Sequence, residues 1–208
     1  MSPPAGTFRE LYRRQDAWFA AERSRLLRRA RIAERRNVLD LGAGTGETLA
    51  ELRRRAVGPV VALDCDIAAL RLAAGARVLG RAERLPFADG AFDLVFAQMF
   101  FLWARPLESV LAEVRRVLSP GGHLLAAAEP DYGGAVEHPG GCGGIGKLAA
   151  ELGAEGADVQ IGRKLGAALA AAGFESVECS THPARPLESA GPGQFLFVPY
   201  FSFLAVRP

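Results

Sequence analysis

The sequence predicts an α/β fold in which a mostly parallel β-sheet is covered by helices on both faces. Short apolar runs typical of buried strands alternate along the chain with segments of helical periodicity. Strands joined through helices lie parallel to one another, and the helices then cover both faces of the sheet. A turn that contains Gly42, Gly44 and Gly46 leads from the first strand directly into a helical pattern, which indicates the same fold. A chain of 208 residues is long enough for one domain of this kind.

A segment of helical character precedes the alternation. Residues 7–31 carry aromatic and leucine side chains among charges at an imperfect helical spacing, which predicts one or two helices. We expect residues 1–35 to form a helical cap on a main domain of residues 36–208. Apolar runs bounded by turn residues place the strands of that domain at Val38–Leu41, Pro59–Leu63, Arg77–Leu79, Phe92–Ala97, Leu124–Ala128, Val177–Ser180 and Phe195–Val206. Helical spacing places its helices at Thr48–Arg55, Ile67–Ala74, Leu107–Leu118 and Lys164–Ala172.

Turn residues support these boundaries. The helix at Leu107–Leu118 is followed by a Ser-Pro-Gly-Gly turn, and the last predicted helix ends at Gly173. Residues 129–162 are rich in glycine and low in periodicity, so they are predicted to be mainly loop. Long loops in compact domains are usually functional, and we expect this segment to be a variable substrate loop.

Composition excludes several classes of protein. The three cysteines, Cys65, Cys142 and Cys179, are far apart, so neither structural zinc nor an iron–sulfur site is expected, and no metal is predicted. No secretory signal or run of about 20 apolar residues is present, which predicts a cytoplasmic protein without a membrane span. A net charge of +2 is too small to imply a polyanionic partner. Either a monomer or a homodimer is expected.

The N-terminal segment is nevertheless rich in arginine. Ten arginines lie between Arg9 and Arg36, but acidic residues are interleaved with them. A solvated helix face with many ion pairs is therefore favoured over an RNA-binding face, which stays open as the alternative.

The glycine-rich turn has the chemistry of a cofactor loop. Without Cβ atoms, a ligand can press against backbone whose amides point outward. Asp40 at the end of the first strand could bind loop amides or a cationic ligand group, or it could be a cap. Asp64 ends the second strand about 20 residues further on, where a carboxylate can bind both hydroxyls of a ribose. The alternative is that Asp64 caps the next helix, a role that Asp66 could fill equally well.

Four segments together resemble the class I S-adenosylmethionine-dependent methyltransferases. They are VLDLGAGTG at 38–46, VVALD at 60–64, AERLPFADGAFDLV at 82–95 and EVRRVLSPGG at 113–122. The pairing of Leu85-Pro86-Phe87 with Phe92-Asp93 resembles the small-molecule branch that includes ubiquinone-type methylases. The resemblance implies a Rossmann-like sheet of seven strands, of which the last is antiparallel, and S-adenosylmethionine as the cofactor.

The resemblance also implies a set of cofactor-binding residues. The glycine loop would lie against the methionine moiety and the ribose, with Asp64 on the ribose hydroxyls, Cys65 beside the adenine, and Asp40 and Gln98 at the amino-acid end. The full set is Asp40, Gly42, Ala43, Gly44, Thr45, Gly46, Asp64, Cys65, Arg81, Ala82, Glu83 and Gln98.

One position departs from the family pattern. Members of this branch usually have Asp-Ala after the third strand to bind the adenine amino group, whereas this chain has Arg81-Ala82. The Ala82 amide remains available, but an arginine cannot accept a hydrogen bond, so Glu83 or a carbonyl would have to receive the adenine amine. The alternative is weaker cofactor affinity.

Methyl transfer from a sulfonium is an in-line displacement, so positioning of donor and acceptor is the protein's main task. An acceptor nitrogen or oxygen must then lose a proton, and the candidate bases are Glu129, Asp131, Tyr132 and His138. The ordinary pKa of histidine suits neutral pH, although a surface-loop histidine is the commoner interpretation of His138.

The residues after the fourth strand leave the acceptor open. Met99, Phe100, Phe101 and Trp103 could form an apolar wall for an acceptor or could belong to the core. The predicted function is transfer of a methyl group to a small-molecule acceptor. The alternatives are an RNA or protein methyltransferase and a non-catalytic S-adenosylmethionine-binding protein. An NAD-dependent oxidoreductase is disfavoured, because the third glycine, Gly46, is one position too early for a dinucleotide-binding loop.

Overall fold

The computed structural model describes residues 5–142, 144–183 and 193–208, with the backbone alone for residues 5–12, 14, 15 and 183. The helices are α1 (Ala5–Arg29), α2 (Leu49–Arg55), α3 (Ile67–Leu70), α4 (Leu107–Val117), α5 (Ile145–Ala154) and α6 (Ile161–Ala171). The strands are β1 (Val38–Leu41), β2 (Val60–Asp64), β3 (Arg77–Leu79), β4 (Phe92–Gln98), β5 (Leu118–Pro130), β6 (Val136–His138), β7 (Glu175–Pro183), β8 (Phe195–Phe197) and β9 (Pro199–Val206).

The main sheet has seven strands in the order β3-β2-β1-β4-β5-β9-β7. Strands β1 to β5 run parallel, and β9 is antiparallel to both of its neighbours, β5 and β7. The strand order reverses beside β1, which pairs with β2 on one side and β4 on the other. Ligands in open α/β sheets bind outside the carboxyl ends of the strands at such a point. The predicted fold is confirmed, including the antiparallel last strand.

Both faces of the sheet are buried, which explains the continuous apolar runs of its central strands. All four residues of β1 are buried. On one face, the sheet packs against Val110 and Val114 of α4 and against Leu165 of α6. On the other face, Leu27 of α1 and Leu52 of α2 belong to the core cluster. Parallel strands covered on both faces need apolar side chains at successive positions rather than at alternate ones.

The structure corrects several predicted boundaries. Of the one or two helices predicted before the sheet, residues 5–29 form one, and α3 ends at Leu70 rather than at Ala74. The predicted turn after α4 belongs to β5, because Gly121 and Gly122 exchange backbone hydrogen bonds with Arg207 and so extend the ladder.

The segment 129–162 is less loop-like than its glycine content indicates. It contains β6 and the ten-residue helix α5. Alanine, leucine, lysine and glutamate are good helix formers, and they outweigh the glycines between Ile145 and Ala154. The last predicted strand is also two strands rather than one, because it breaks at Val198. The first part, β8, pairs with β6 in a separate two-stranded sheet, and β9 begins at Pro199. Proline lacks an N–H and is tolerated at the first position of a strand.

Within the ranges that the structure describes, no helix is both long enough and apolar enough to cross a membrane.

Candidate cofactor and active site

The glycine loop lies at the carboxyl edge of the sheet, where the strand order reverses. The amides of Gly42 and Ala43 donate hydrogen bonds of 2.8 and 3.0 Å to the carbonyl of Leu63 in β2. Gly42, Gly44 and Gly46 have φ values of +71°, +51° and +82°, in the left-handed region that glycine adopts without strain. A methyl group built on Gly44 meets no atom within 4 Å, so this part of the loop faces open space. The loop therefore offers bare backbone to a ligand.

Asp64 fixes this loop from the end of β2. Its carboxylate accepts a hydrogen bond of 2.7 Å from the Gly44 amide and another of 2.8 Å from the Asp66 amide. Asp66 is the cap of α3, because its own side chain accepts hydrogen bonds from the amides of Ala68 and Ala69. The half-buried Asp64 carboxylate is thus not needed as a helix cap and remains at the edge of the cofactor loop.

Asp40 is a buried carboxyl group at the end of β1. It accepts a hydrogen bond of 2.7 Å from the hydroxyl of Thr48 at the start of α2. Burial raises the pKa of Asp40 to about 7, against the opposing effects of the Thr48 hydrogen bond and of the Arg23 charge. A group with this pKa can be neutral in the free protein and ionised beside a cationic ligand group.

Arg23 of α1 covers the same end of the site, and sequence reasoning missed it. Its guanidinium is 4% exposed, and it donates hydrogen bonds of 2.8 Å to Glu51 and 3.1 Å to the Gln98 side-chain oxygen, as well as a hydrogen bond to Asp16. Gln98 in turn donates to Asp16 over 3.3 Å. Arg23 shares the buried face of α1 with Phe19, Leu26 and Leu27. An arginine within an apolar stripe of helical spacing was the available signal.

At the predicted adenine end, Arg81 and Glu83 form an ion pair. The guanidinium of Arg81 donates a hydrogen bond of 2.7 Å to Glu83, and the side chains are 74% and 24% exposed, respectively. The preceding Gly80 amide donates a 3.0 Å hydrogen bond to the carbonyl of Asp64, which holds this segment against the end of β2. Cys65 is exposed beside it, and partial burial raises the pKa of its thiol. The structure brings Asp64, Cys65, Arg81 and Glu83 to one edge of the sheet.

Glu129 is fully buried near the end of β5. One carboxylate oxygen accepts hydrogen bonds of 3.0 and 3.1 Å from the amides of Phe100 and Phe101, which follow β4. The other oxygen has no hydrogen-bond partner within the described part of the chain. Burial raises the pKa of Glu129 to about 7, and the bonds from the backbone amides oppose that rise.

Asp131 and Tyr132 are also buried. Arg163 donates a hydrogen bond of 2.6 Å to one oxygen of Asp131, and the other oxygen is buried without a partner among the residues described. Tyr132 is hydrogen-bonded to Tyr200, and burial raises the pKa of both phenols. His138 differs from these two, because it is exposed in β6 and pairs with Phe195 on the small sheet.

The predicted apolar wall divides into two parts. Phe101 is core and Trp103 is 44% exposed, whereas Met99 and Phe100 are partly buried at the end of β4. Met99 packs against an apolar cluster formed by Phe19, Ala128, Tyr132, Ile145, Leu196, Val198 and Tyr200. This cluster joins α1, α5 and the end of β5 beside the site.

Comparison with known proteins agrees with this geometry. Residues 39–126 match the family model described as a methyltransferase domain. This part of the chain therefore resembles a methyltransferase domain. Over 91 residues, the chain is 43% identical to malonyl-[acyl-carrier protein] O-methyltransferase 1 of Coxiella burnetii. The match covers 42% of this chain and 32% of that protein. Over 140 residues, the chain is 39% identical to demethylmenaquinone methyltransferase of Beutenbergia cavernae. This match covers 59% of this chain and 56% of that protein.

The chain therefore matches between about a third and just over half of the length of these relatives. A solved methyltransferase chain from Haloferax volcanii, in complex with the Trm112 methyltransferase activator, has a TM-score of 0.72 at 20% identity, with 98% of this chain and 96% of that chain covered. This similarity shows the fold. The predicted resemblance to methyltransferases is confirmed.

Proposed function

We propose that this protein transfers a methyl group from S-adenosylmethionine to a small-molecule acceptor. The proposal rests on the carboxyl edge of β1 and β2. There, the open glycine backbone donates a hydrogen bond from the Gly44 amide to the Asp64 carboxylate. The space in front of Gly44 suits a ligand that presses against the loop, and the half-buried carboxylate beside it suits ribose hydroxyls. The residues present therefore fit this cofactor.

Each predicted binding residue has a proposed role. The backbone from Gly42 to Gly46, including Ala43 and Thr45, lies along the methionine moiety and the ribose. Asp64 accepts hydrogen bonds from the ribose hydroxyls. Asp40 and Gln98 lie near the amino-acid end, with Arg23 between Gln98 and Glu51.

At the adenine end, Cys65 flanks the base and Ala82 offers its amide. Because the Arg81 side chain has only hydrogen-bond donors, the Glu83 carboxylate accepts the hydrogen bond from the adenine amino group. The ion pair with Arg81 keeps that carboxylate oriented and charged.

S-adenosylmethionine would supply a methyl group on a sulfonium, and the protein's contribution is to hold the acceptor in line with it. When the acceptor atom carries a hydrogen, a side chain or water must take the proton. Glu129, Asp131, Tyr132 and His138 are the candidates. His138 is exposed, whereas the other three are buried.

The surroundings favour a small acceptor over a nucleic acid. Several of the arginines on α1 are paired with acids: Arg23 with Glu51, Arg25 with Glu22, and Arg29 with Glu178. Paired arginines carry little net field toward a phosphate backbone. The apolar cluster that includes Met99 and Tyr132 suits an acceptor with an apolar body. We also propose that the helical cap of residues 1–35 and the segment 129–162 select this acceptor.

Methyl transfer is tested by following formation of S-adenosylhomocysteine from S-adenosylmethionine. The protein is incubated separately with a low-molecular-mass cell extract, with total RNA and with a protein fraction. Turnover with the small-molecule fraction alone, absent in Asp64→Ala, is the expected result. Turnover with RNA or protein alone would replace the proposed acceptor class. Cofactor binding without turnover in any fraction would favour the non-catalytic alternative.

A further inference from the structure

Two neighbouring strands have a left-handed residue other than glycine at or near their carboxyl ends. Met99, directly after β4, has a φ of +51°, and Ala128 in β5 has a φ of +55°. The Met99 amide donates a 3.0 Å hydrogen bond to the carbonyl of Ala127, so the two unusual residues lie side by side. A left-handed conformation is unfavourable for an L-residue other than glycine. Such residues persist where surrounding contacts hold them, and they are concentrated at functional sites.

Side chains from other positions hold Ala128 and the two residues that follow Met99. The hydroxyl of Ser202 in β9 accepts a 3.0 Å hydrogen bond from the Ala128 amide. The turn at Ala128 coincides with a shift of register between β5 and β9, and it precedes the buried Glu129. Glu129 then binds the amides of Phe100 and Phe101, the two residues that follow Met99. The left-handed turn at Ala128 in β5 thus comes directly before Glu129, whose carboxylate holds the segment after β4.

The held segment reaches the cofactor loop through Phe100. A methyl group built on Gly42 would overlap the Phe100 ring, so the ring packs directly on the bare backbone of the first loop glycine. Gly42 in turn is bonded to the carbonyl of Leu63. The position of the ring therefore affects the wall of the loop against which the methionine moiety is proposed to lie.

We propose that Glu129 is a positioning residue for the cofactor rather than the base of the reaction. Its carboxylate fixes the segment after β4 and, through the Phe100 ring, the shape of the loop at Gly42. Full burial and two bonds to backbone amides leave it shielded from an acceptor. Asp131, Tyr132 and His138 then remain as candidate bases. This assignment rests on the proposed function only for the identity of the bound cofactor.

The test combines a double-mutant cycle with amide exchange. Calorimetric S-adenosylmethionine affinity is measured for the full chain, Glu129→Ala, Phe100→Ala and the double variant. Loss of a charge-assisted hydrogen bond predicts a reduction of about tenfold in Glu129→Ala. Because Glu129 acts through Phe100, adding Glu129→Ala to Phe100→Ala should weaken binding by less than about twofold. Hydrogen exchange at the amides of residues 100 and 101 should be slow in the wild type and fast in Glu129→Ala.

Asp93→Ala is the matched control, because the Asp93 carboxylate also accepts hydrogen bonds from two consecutive backbone amides, those of Arg36 and Asn37. It should lower thermal stability without changing affinity. Glu129→Gln keeps an acceptor oxygen and serves if the alanine variant does not fold; it should weaken binding less and keep part of the amide protection. Unchanged affinity in a folded Glu129 variant, or equal effects in both Phe100 backgrounds, would overturn the assignment. Fast hydrogen exchange at the amides of residues 100 and 101 in the wild type would also overturn the assignment, and that result does not depend on any cofactor. If the wild type protects these amides but binds no S-adenosylmethionine, the proposed function alone is contradicted.

Discussion

The amide of Gly44 donates a 2.7 Å hydrogen bond to the carboxylate of Asp64, across the gap between the glycine loop and the end of β2. This bond joins two parts of the chain that are about 20 residues apart in sequence and gives the loop a fixed geometry before any ligand is bound. A carboxylate has about four lone-pair sites, so Asp64 can hold the loop and still accept bonds from a ribose. Loop rigidity and cofactor recognition thus depend on one side chain.

Replacing Asp64 with alanine is expected to abolish tight cofactor binding while the fold is retained. Hydrogen bonds to a charged group contribute roughly 1.5–3 kcal/mol each, so affinity should fall by at least about tenfold. Calorimetric titration measures the loss, and circular dichroism verifies the fold. Asp66→Ala is the control, because it removes the cap of α3 at a cost of about 1 kcal/mol but leaves the ribose site intact. Unchanged affinity in Asp64→Ala would refute the ribose assignment.

Alanine at Gly44 and at Gly42 should have different effects. Both positions are left-handed, which costs alanine roughly 1–2 kcal/mol. At Gly44 the added methyl group meets no protein atom and extends into the proposed ligand space, so binding should weaken much more than stability. At Gly42 the methyl group overlaps the Phe100 ring, so the melting temperature should fall further. Calorimetry and thermal unfolding distinguish the two variants. Equal affinity of Gly44→Ala and wild type would place the ligand elsewhere.

Arg23→Met is expected to release α1 from the site. Removing one member of a buried ion pair costs about 3–5 kcal/mol, and Arg23 is 4% exposed beside Glu51 and Asp16, which are 13% and 19% exposed. Hydrogen exchange in residues 16–29 should accelerate, and cofactor affinity should fall. Arg25→Met is the control, since Arg25 is 40% exposed and such surface pairs contribute at most about 1 kcal/mol. Wild-type exchange in Arg23→Met would mean that other contacts hold α1.

The contribution of Asp40 to stability should decrease as the pH rises toward neutrality. The pKa of Asp40 rises from 3.8 in its ordinary state to about 7 in the fold, so the folded protein keeps a proton that the unfolded chain releases. That contribution is fully present below the unfolded pKa and is lost as the pH rises through the folded pKa. Chemical unfolding at about pH 5 and about pH 8 measures the change. Asp40→Asn should reduce the dependence. Glu129, whose pKa is also raised to about 7, acts in the same direction, whereas the lowered pKa values of His123 and His182 act in the opposite direction. An identical dependence in the variant would contradict the raised pKa of Asp40.

The sheet was predictable because its signal is local. The apolar runs of β1, β2 and β4 are continuous, as burial on both faces requires, and the glycine loop follows β1 directly. Helix α5 was missed because glycines at both ends of its sequence obscure a run of good helix formers. The break at Val198 depends on pairing between β8 and β6, which are far apart in sequence.

The candidate site could be proposed from the sequence where backbone chemistry defines it, and not where distant side chains meet. Asp64 and the loop glycines follow from spacing. The burial of Arg23 depends on Asp16 of the same helix and on Glu51 and Gln98 from two other segments, although its place in the apolar stripe of α1 was visible. The bonds from Glu129 to Phe100 and Phe101 span 29 and 28 residues, and no local pattern indicates them.

The most direct test of the central claim is calorimetric titration of the full chain with S-adenosylmethionine and, separately, with NAD. It tests the cofactor without requiring the acceptor. The proposed site predicts saturable binding of S-adenosylmethionine at one site per chain, weakened in Asp64→Ala, and no binding of NAD. Absence of S-adenosylmethionine binding by the folded wild type would contradict the proposed function and would direct attention to Arg81, the position at which this chain departs from the family pattern.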